Sequence, residues 1–395
     1  VTETTDAGGR SRTPRPPLLT RPLLLRCVSI LGASTSFYLL LSVVPGYASA
    51  DGAGGRSAGL ATGALMAGTV VGELATPALV RRHGYRAVLA VGLALLGVPA
   101  LALTSSRALW WIAAICLLRG GGFAFTVVAG GALTAALIPA ERRGEGLALV
   151  GVVGGVPALL ALPLSVWLVA HVGHTVVFTA GALAALAAIL AVPGLPDRIR
   201  ASGRPVSIAE GLRTPGLRRP AVVFAAIAVA AGIVVTFLPL AVPDSATGLL
   251  AVALFVQPAA TTVARWLAGR HGDRHDAAAL VLPGLLLAAA GTLLMALTTT
   301  PLAVLVAAGV FGIGFGIAQN ATLTLMYARV PLAGYGTVSA LWNVAYDAGM
   351  GVGALVFGAL ADRTGYPWAF ALTGTAMLAA LAPARRDRAG HARRA

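Results

Sequence analysis

Twelve stretches of this chain are each long and apolar enough to cross a bilayer, and they recur with short gaps from one end of the sequence to the other. Their approximate limits are 23–45, 59–80, 86–104, 108–138, 145–169, 174–193, 220–242, 246–268, 277–298, 301–328, 335–360 and 366–383. A helix rises about 1.5 Å per residue and the hydrocarbon layer is about 30 Å thick, so about twenty apolar residues suffice for one crossing. Backbone polar groups find no water in that layer, which leaves helices as the form such runs can take. The composition agrees: hydrophobic residues make up 57% and charged residues only 11%, too few to coat a soluble globule of 395 residues. The fold class is therefore an all-α polytopic membrane protein with twelve transmembrane helices.

The basic residues fix an expected orientation. The sequence has 29 basic residues, every one of them arginine, and a net charge of +15. Such a balance can signal nucleic-acid binding, but these arginines sit in short loops between apolar runs, and no nucleic-acid partner is expected. With strict alternation, only Arg56, Arg107 and Arg363 fall in loops on one side, and Arg119 falls inside a span. The others lie on the opposite side or at its membrane entry, as Arg26 does. Retention of arginine on the cytoplasmic side places both termini there, in a cell membrane. Residues 1–22, with Pro14, Pro16, Pro17 and four arginines, read as a disordered cytoplasmic tail, and 384–395 as a second one. Cys27 and Cys116 lie at different depths without metal-ligand company, so neither a disulfide nor a metal site is expected.

The longest interruption, 194–219, divides the spans six and six, giving a bundle over 23–193, a linker, and a bundle over 220–383. The halves resemble each other. Arg82-His83-Gly84-Tyr85-Arg86 after the second span matches Arg270-His271-Gly272-Asp273-Arg274 after the eighth. Gly122, Phe125, Leu133 and Thr134 match Gly312, Phe315, Leu323 and Thr324. Val172-Gly173-His174 matches Thr364-Gly365-Tyr366. A nearly constant offset of about 190 residues at three places indicates two six-helix bundles related as parallel repeats.

Two ionisable residues stand at mid-depth. Arg119 lies in the middle of Trp110–Pro139, and Asp347 lies about 18 Å along the eleventh span from Tyr335. Intramembrane charge costs several kcal/mol unless it meets a partner or a wet cavity, so both are functional candidates. Asn343 shares a face with Asp347 at four residues' spacing. Asp347 is a candidate carrier of a coupling proton, with Arg119 biasing its protonation or meeting an anionic group of the substrate. The competing readings are a structural arginine bonded to helix carbonyls and a permanent brace. Gly120, Gly121 and Gly122 favour close helix packing, and Trp110 and Trp111 read as interfacial anchors.

These features resemble the major facilitator superfamily over essentially all of residues 23–383, in particular drug or metabolite efflux permeases of the actinobacterial type. The loop after the second span is similar to the family's Gly-x-x-x-Asp-Arg-x-Gly-Arg-Arg signature. Arg82, Gly84 and Arg86 match, while Pro77 and Arg81 replace the first Gly and the Asp; Glu73, one turn earlier, is the candidate substitute acid. The second copy keeps Arg270, Gly272 and Arg274. The resemblance implies gating by these loops, two rocking bundles, and a substrate cavity lined from the first, fourth, seventh and tenth helices, which nominates Tyr38, Gln319 and Asn320. Gly151, Gly155 and Pro157 in the fifth span partly match a drug–proton antiporter signature. No His-Glu-x-x-His, Gly-x-Ser-x-Gly or Gly-Lys-Ser/Thr pattern is present, so neither an enzyme nor an ATP-driven pump is expected, and no cofactor. The expected function is export of small amphipathic molecules by proton antiport through a monomer. A proton-coupled importer or uniporter, or a non-transporting sensor, are the alternatives.

Overall fold

The computed structural model describes residues 17–50, 54–139, 143–198, 208–242, 247–272, 277–330 and 335–392. Twelve spans are present among the described residues. Ten helices meet the length and hydropathy of a crossing; one of these, Gly54–Ser105, doubles back at Gly84 and supplies two, and the shorter Ala278–Leu294 completes the set. In order they are α1 (Arg21–Ser49), α2 (54–83), α3 (85–101), α4 (Leu109–Leu137), α5 (Arg143–Val172), α6 (His174–Gly194), α7 (Pro215–Ala241), α8 (Thr247–Gly272), α9 (Ala278–Leu294), α10 (Pro301–Tyr327), α11 (Tyr335–Thr364) and α12 (Tyr366–Asp387). An even count puts both ends of the chain on one side, here the terminal face; the opposite side is the distal face.

Sequence chemistry sets the ends of these helices. α1, α7, α10 and α12 carry proline in the first turn, where its missing N–H would lack a partner anyway. The hinges are glycines. Gly173 (φ 80°, ψ 171°) and Gly365 (φ 77°, ψ 160°), matched in the repeat alignment, take the same left-handed conformation between α5 and α6 and between α11 and α12. Helix continues past the expected end of the last span, through Leu381–Ala392, where a tail was expected.

The packing repeats as well. α1 packs on α5 and α6 as α7 packs on α11 and α12; α3 meets α6 as α9 meets α12; α4 and α10 each pack against the two preceding helices of their own half. Glycines make these approaches close: Gly92 and Gly122 abut between α3 and α4, and Gly291 and Gly314 seat α9 on α10. Between halves, α2 meets α11, α5 meets α8, and the end of α1 meets α7. Large apolar side chains such as Trp110, Leu190, Leu302 and Trp368 point away from the protein at 69–83% exposure, as a lipid-facing belt requires.

Candidate functional site

Arg119 is held by its own bundle. Its side chain is 3% exposed. Nε donates to the Leu96 carbonyl of α3 at 3.0 Å, and Nη2 donates to the Ser36 carbonyl and hydroxyl of α1 at 2.8 and 3.4 Å. A buried guanidinium without a carboxylate is tolerable only if its donors are used, and backbone carbonyls retain a second lone pair for the purpose. Gly120 leaves room for α2, since a Cβ there would enter the Leu65 carbonyl.

Arg26 repeats the device one level down the same pair of helices. It is 4% exposed and donates to the carbonyls of Gly130 (3.1 Å) and Thr126 (3.0 Å) and to the hydroxyls of Thr134 (3.2 Å) and Ser29 (3.0 Å). Gly130 makes room for this, because a Cβ there would displace the guanidinium. Sequence reasoning set Arg26 at the membrane entry as a topology signal. Its three-residue spacing from Ser29 was the available hint.

The polar groups that meet across the bundles centre on Asp347. Thr69 of α2 is its hydrogen-bond partner. Glu73, one turn further along α2, is its electrostatic neighbour, and Tyr38 of α1 and Tyr346 of α11 lie in the same field. Arg265 of α8 reaches Tyr38 electrostatically. Oε2 of Glu73 is buried and has no hydrogen-bond partner among the described residues. Tyr38, Tyr346 and Asp347 are deeply enclosed by protein yet keep accessible surface, the condition of groups lining an internal gap. Asp347 thus has Glu73 as its electrostatic neighbour and Thr69 within reach, while the donors of Arg119 are engaged with Leu96 and Ser36.

The remaining candidates are placed as follows. Asn343 and Gln319 are half-buried. Asn320 lies against Gly269 of α8 and within 3.5 Å of Thr324, a helix-packing position. Gly151 and Gly155 face open space, and α5 runs unbroken through Pro157. Gly84 (φ 82°) turns the chain between α2 and α3, beside the Asp197 carboxylate. The N–H of Arg86 donates to Asp197 Oδ1 at 3.1 Å, and Arg86 Nε donates to the Leu195 carbonyl. Arg82 is exposed. Arg270 covers the Trp266 ring at 4.8 Å, Gly272 closes α8, and Arg274 lies outside the described residues.

Twelve spans in two parallel repeats, with ionisable side chains between them, define a membrane transporter of the two-bundle kind. The chain belongs to the Major Facilitator Superfamily, whose sequence profile matches residues 26–354 and 244–394. It is 30% identical over 374 residues to a chloramphenicol resistance protein of Streptomyces lividans, covering 89% of this chain and 93% of that protein. The fold is similar to that of the nucleoside transporter NupG, with TM-score 0.72 at 12% identity, covering 94% of this chain and 99% of NupG. It is also similar to the xylose transporter XylE of E. coli in a partially occluded inward open conformation, with TM-score 0.72 at 12% identity, covering 91% and 95%.

Proposed function

We propose that this transporter exports small amphipathic molecules from the cell in exchange for protons, as a monomer in the cell membrane with the terminal face cytoplasmic. The observation that carries the reading is the pairing of Glu73 and Asp347, one carboxyl from each bundle. Two carboxyls that feel each other's charge in a poorly solvated place disfavour double ionisation, so the pair retains a proton until a competing donor displaces it. Thr69 Oγ donates to the Met66 carbonyl at 2.7 Å and lies within reach of Asp347. Because the two carboxyls belong to bundles that must separate and rejoin, their proton is exchanged with whichever side the gap faces.

Export is supported by the relative's resistance to chloramphenicol and by the few charges in the gap, which disfavour phosphorylated or polyanionic cargo. The asymmetric placement of arginine supports the orientation. The loop at Gly84–Arg86 docks on the segment that follows α6, at Leu195 and Asp197, which fits a gating loop anchored to the first bundle. Chloramphenicol uptake into inverted proteoliposomes under an imposed pH gradient tests the reading. Asp347→Asn and Glu73→Gln should each abolish gradient-driven accumulation while leaving exchange across equal pH. Unchanged coupling in Asp347→Asn sinks the proton role.

A further inference from the structure

We infer that the gap recognises an uncharged molecule with a flat aromatic ring and a hydrogen-bond-donor arm, the ring lying against Trp342 and Tyr346 of α11. This deepens the exporter reading and rests on it for the site, though not for the coupling.

The second bundle presents a wall of near-parallel rings. Phe224 stacks on Trp342 with centroids 4.2 Å apart and planes 12° apart, and on Phe315 at 6.1 Å and 11°. Tyr346 lies 6.2 Å from Trp342 at 14°, 5.8 Å from Phe224 at 15°, and 6.0 Å from Phe315 at 26°. Aromatic pairs in protein cores ordinarily mix edge-to-face and offset geometries; here four rings from α7, α10 and α11 share one orientation. Phe224 and Phe315 are fully buried behind, whereas Trp342 and Tyr346 keep accessible surface. The buried rings therefore fix the planes of the front pair. The indole N–H of Trp342 is spent on the Thr322 hydroxyl at 3.2 Å, which fixes that ring further.

The polar end of this wall is the acid pair. Tyr346 precedes Asp347, and Tyr38 of the opposite bundle is the electrostatic neighbour of both. Glu73 Oε2 is a buried acceptor without a partner, which suits a hydroxyl or amide donor. An acid pair holding one proton carries one negative charge, and Arg265 beside Tyr38 offsets it, so the gap as a whole favours an uncharged ligand over a cation. A ring held by two oriented aromatic faces costs little ordering of the protein on binding.

Matched probes test this without transport: N-benzylacetamide, its cyclohexylmethyl analogue, and benzylammonium, titrated by saturation-transfer NMR onto the purified full-length protein. The benzyl amide should bind about three- to tenfold more tightly than the saturated analogue, the range expected of aromatic contacts. Trp342→Ala should erase that difference, while Tyr346→Phe, which keeps its ring, should preserve it. Equal binding of the two amides, an undiminished difference in Trp342→Ala, tighter binding of benzylammonium, or no binding of any probe overturns the inference. Aromatic selectivity without gradient-driven transport would instead refute the proton-coupled exporter and leave the ring site standing.

Discussion

The carboxylate of Asp362, near the end of α11, caps the first turn of α2 in the other bundle, 2.7 Å from the Gly55 nitrogen and 3.2 Å from that of Arg56. The first N–H groups of a helix have no partner within it, and an acidic side chain satisfies them and the helix dipole together. This cap exists only while the distal face is closed, so its strength adds to the stability of closure. A lost cap costs about 1 kcal/mol. Asp362→Ala should therefore shift the closed-to-open ratio about fivefold towards open, read as a longer distance between spin labels on the α3–α4 and α9–α10 loops. Asn at 362 retains an acceptor and should shift it less. Arg56→Ala should leave the distances unchanged, because its ion pair with Asp362 is 3.6 Å long and the Arg56 side chain is 58% exposed.

Beneath that cap the two helices touch through small residues. A Cβ on Gly59 would enter the Ala354 carbonyl, which belongs to a helical backbone and cannot yield, whereas one on Gly63 would meet the mobile Leu355 side chain. Gly59→Val should lower the distally closed population roughly tenfold, since overpacking costs about 1–3 kcal/mol. All three atoms that the new carbon would meet lie on α11, so each bundle should melt as before. Gly63→Ala should be mild, and Gly155→Ala, facing open space, should transport normally. Transport rates beside thermal melts distinguish these outcomes.

Depth was legible in the sequence; rotation was not. Counting apolar runs and multiplying by the helical rise located every crossing, and the repeat alignment anticipated the shared conformation of Gly173 and Gly365. The run beginning at 220 started late, because Pro215 was read as linker although proline opens helices well. Which way a mid-depth side chain points depends on helix rotation. Apolar residues surround these helices on all sides, one face against lipid and another against protein, so no amphipathic stripe fixes it. Arg119 and Asp347 were thus both placed at mid-depth and carbonyls were one open reading for the arginine, but the choice between readings, the particular carbonyls of Leu96 and Ser36, and the neighbour Glu73 of Asp347 lay beyond reach. Asp362 and Asp197 escaped notice for a related reason: their partners are backbone N–H groups, which carry no residue-type signal.

Arg119→Lys separates bracing from chemistry. Lysine offers a compact ammonium that cannot span the 3.0 Å and 2.8 Å bonds to Leu96 and Ser36 together. An unmet buried polar group costs about 1–3 kcal/mol, so the melting temperature should fall by several degrees, as ~1 kcal/mol typically moves it. The pH dependence of transport should stay where it was. A displaced pH profile with an unchanged melting temperature would return Arg119 to the proton pathway.

The last prediction concerns two aspartates at repeat-equivalent positions on the terminal face, Asp197 just past α6 and Asp387 in the helix that continues α12. Asp197 accepts the N–H of Arg86 and steadies the start of α3. Asp387 instead makes a two-pronged ion pair with Arg329, at 2.9 and 2.8 Å, while Arg329 also donates to the Gly216 carbonyl at 2.6 Å. One arginine thus ties the ends of α7, α10 and α12 together. The side chains of the pair are only 19% and 10% exposed, so removing one charge leaves the other poorly solvated, at a cost of about 2 kcal/mol in this half-buried setting. Asp387→Asn should therefore lower the melting temperature and speed hydrogen exchange over 321–330. Asp197→Asn, whose amide oxygen can still accept the same N–H, should do so much less. Equal losses in the two variants would mean that both aspartates serve only as helix caps and that the ion pair adds nothing.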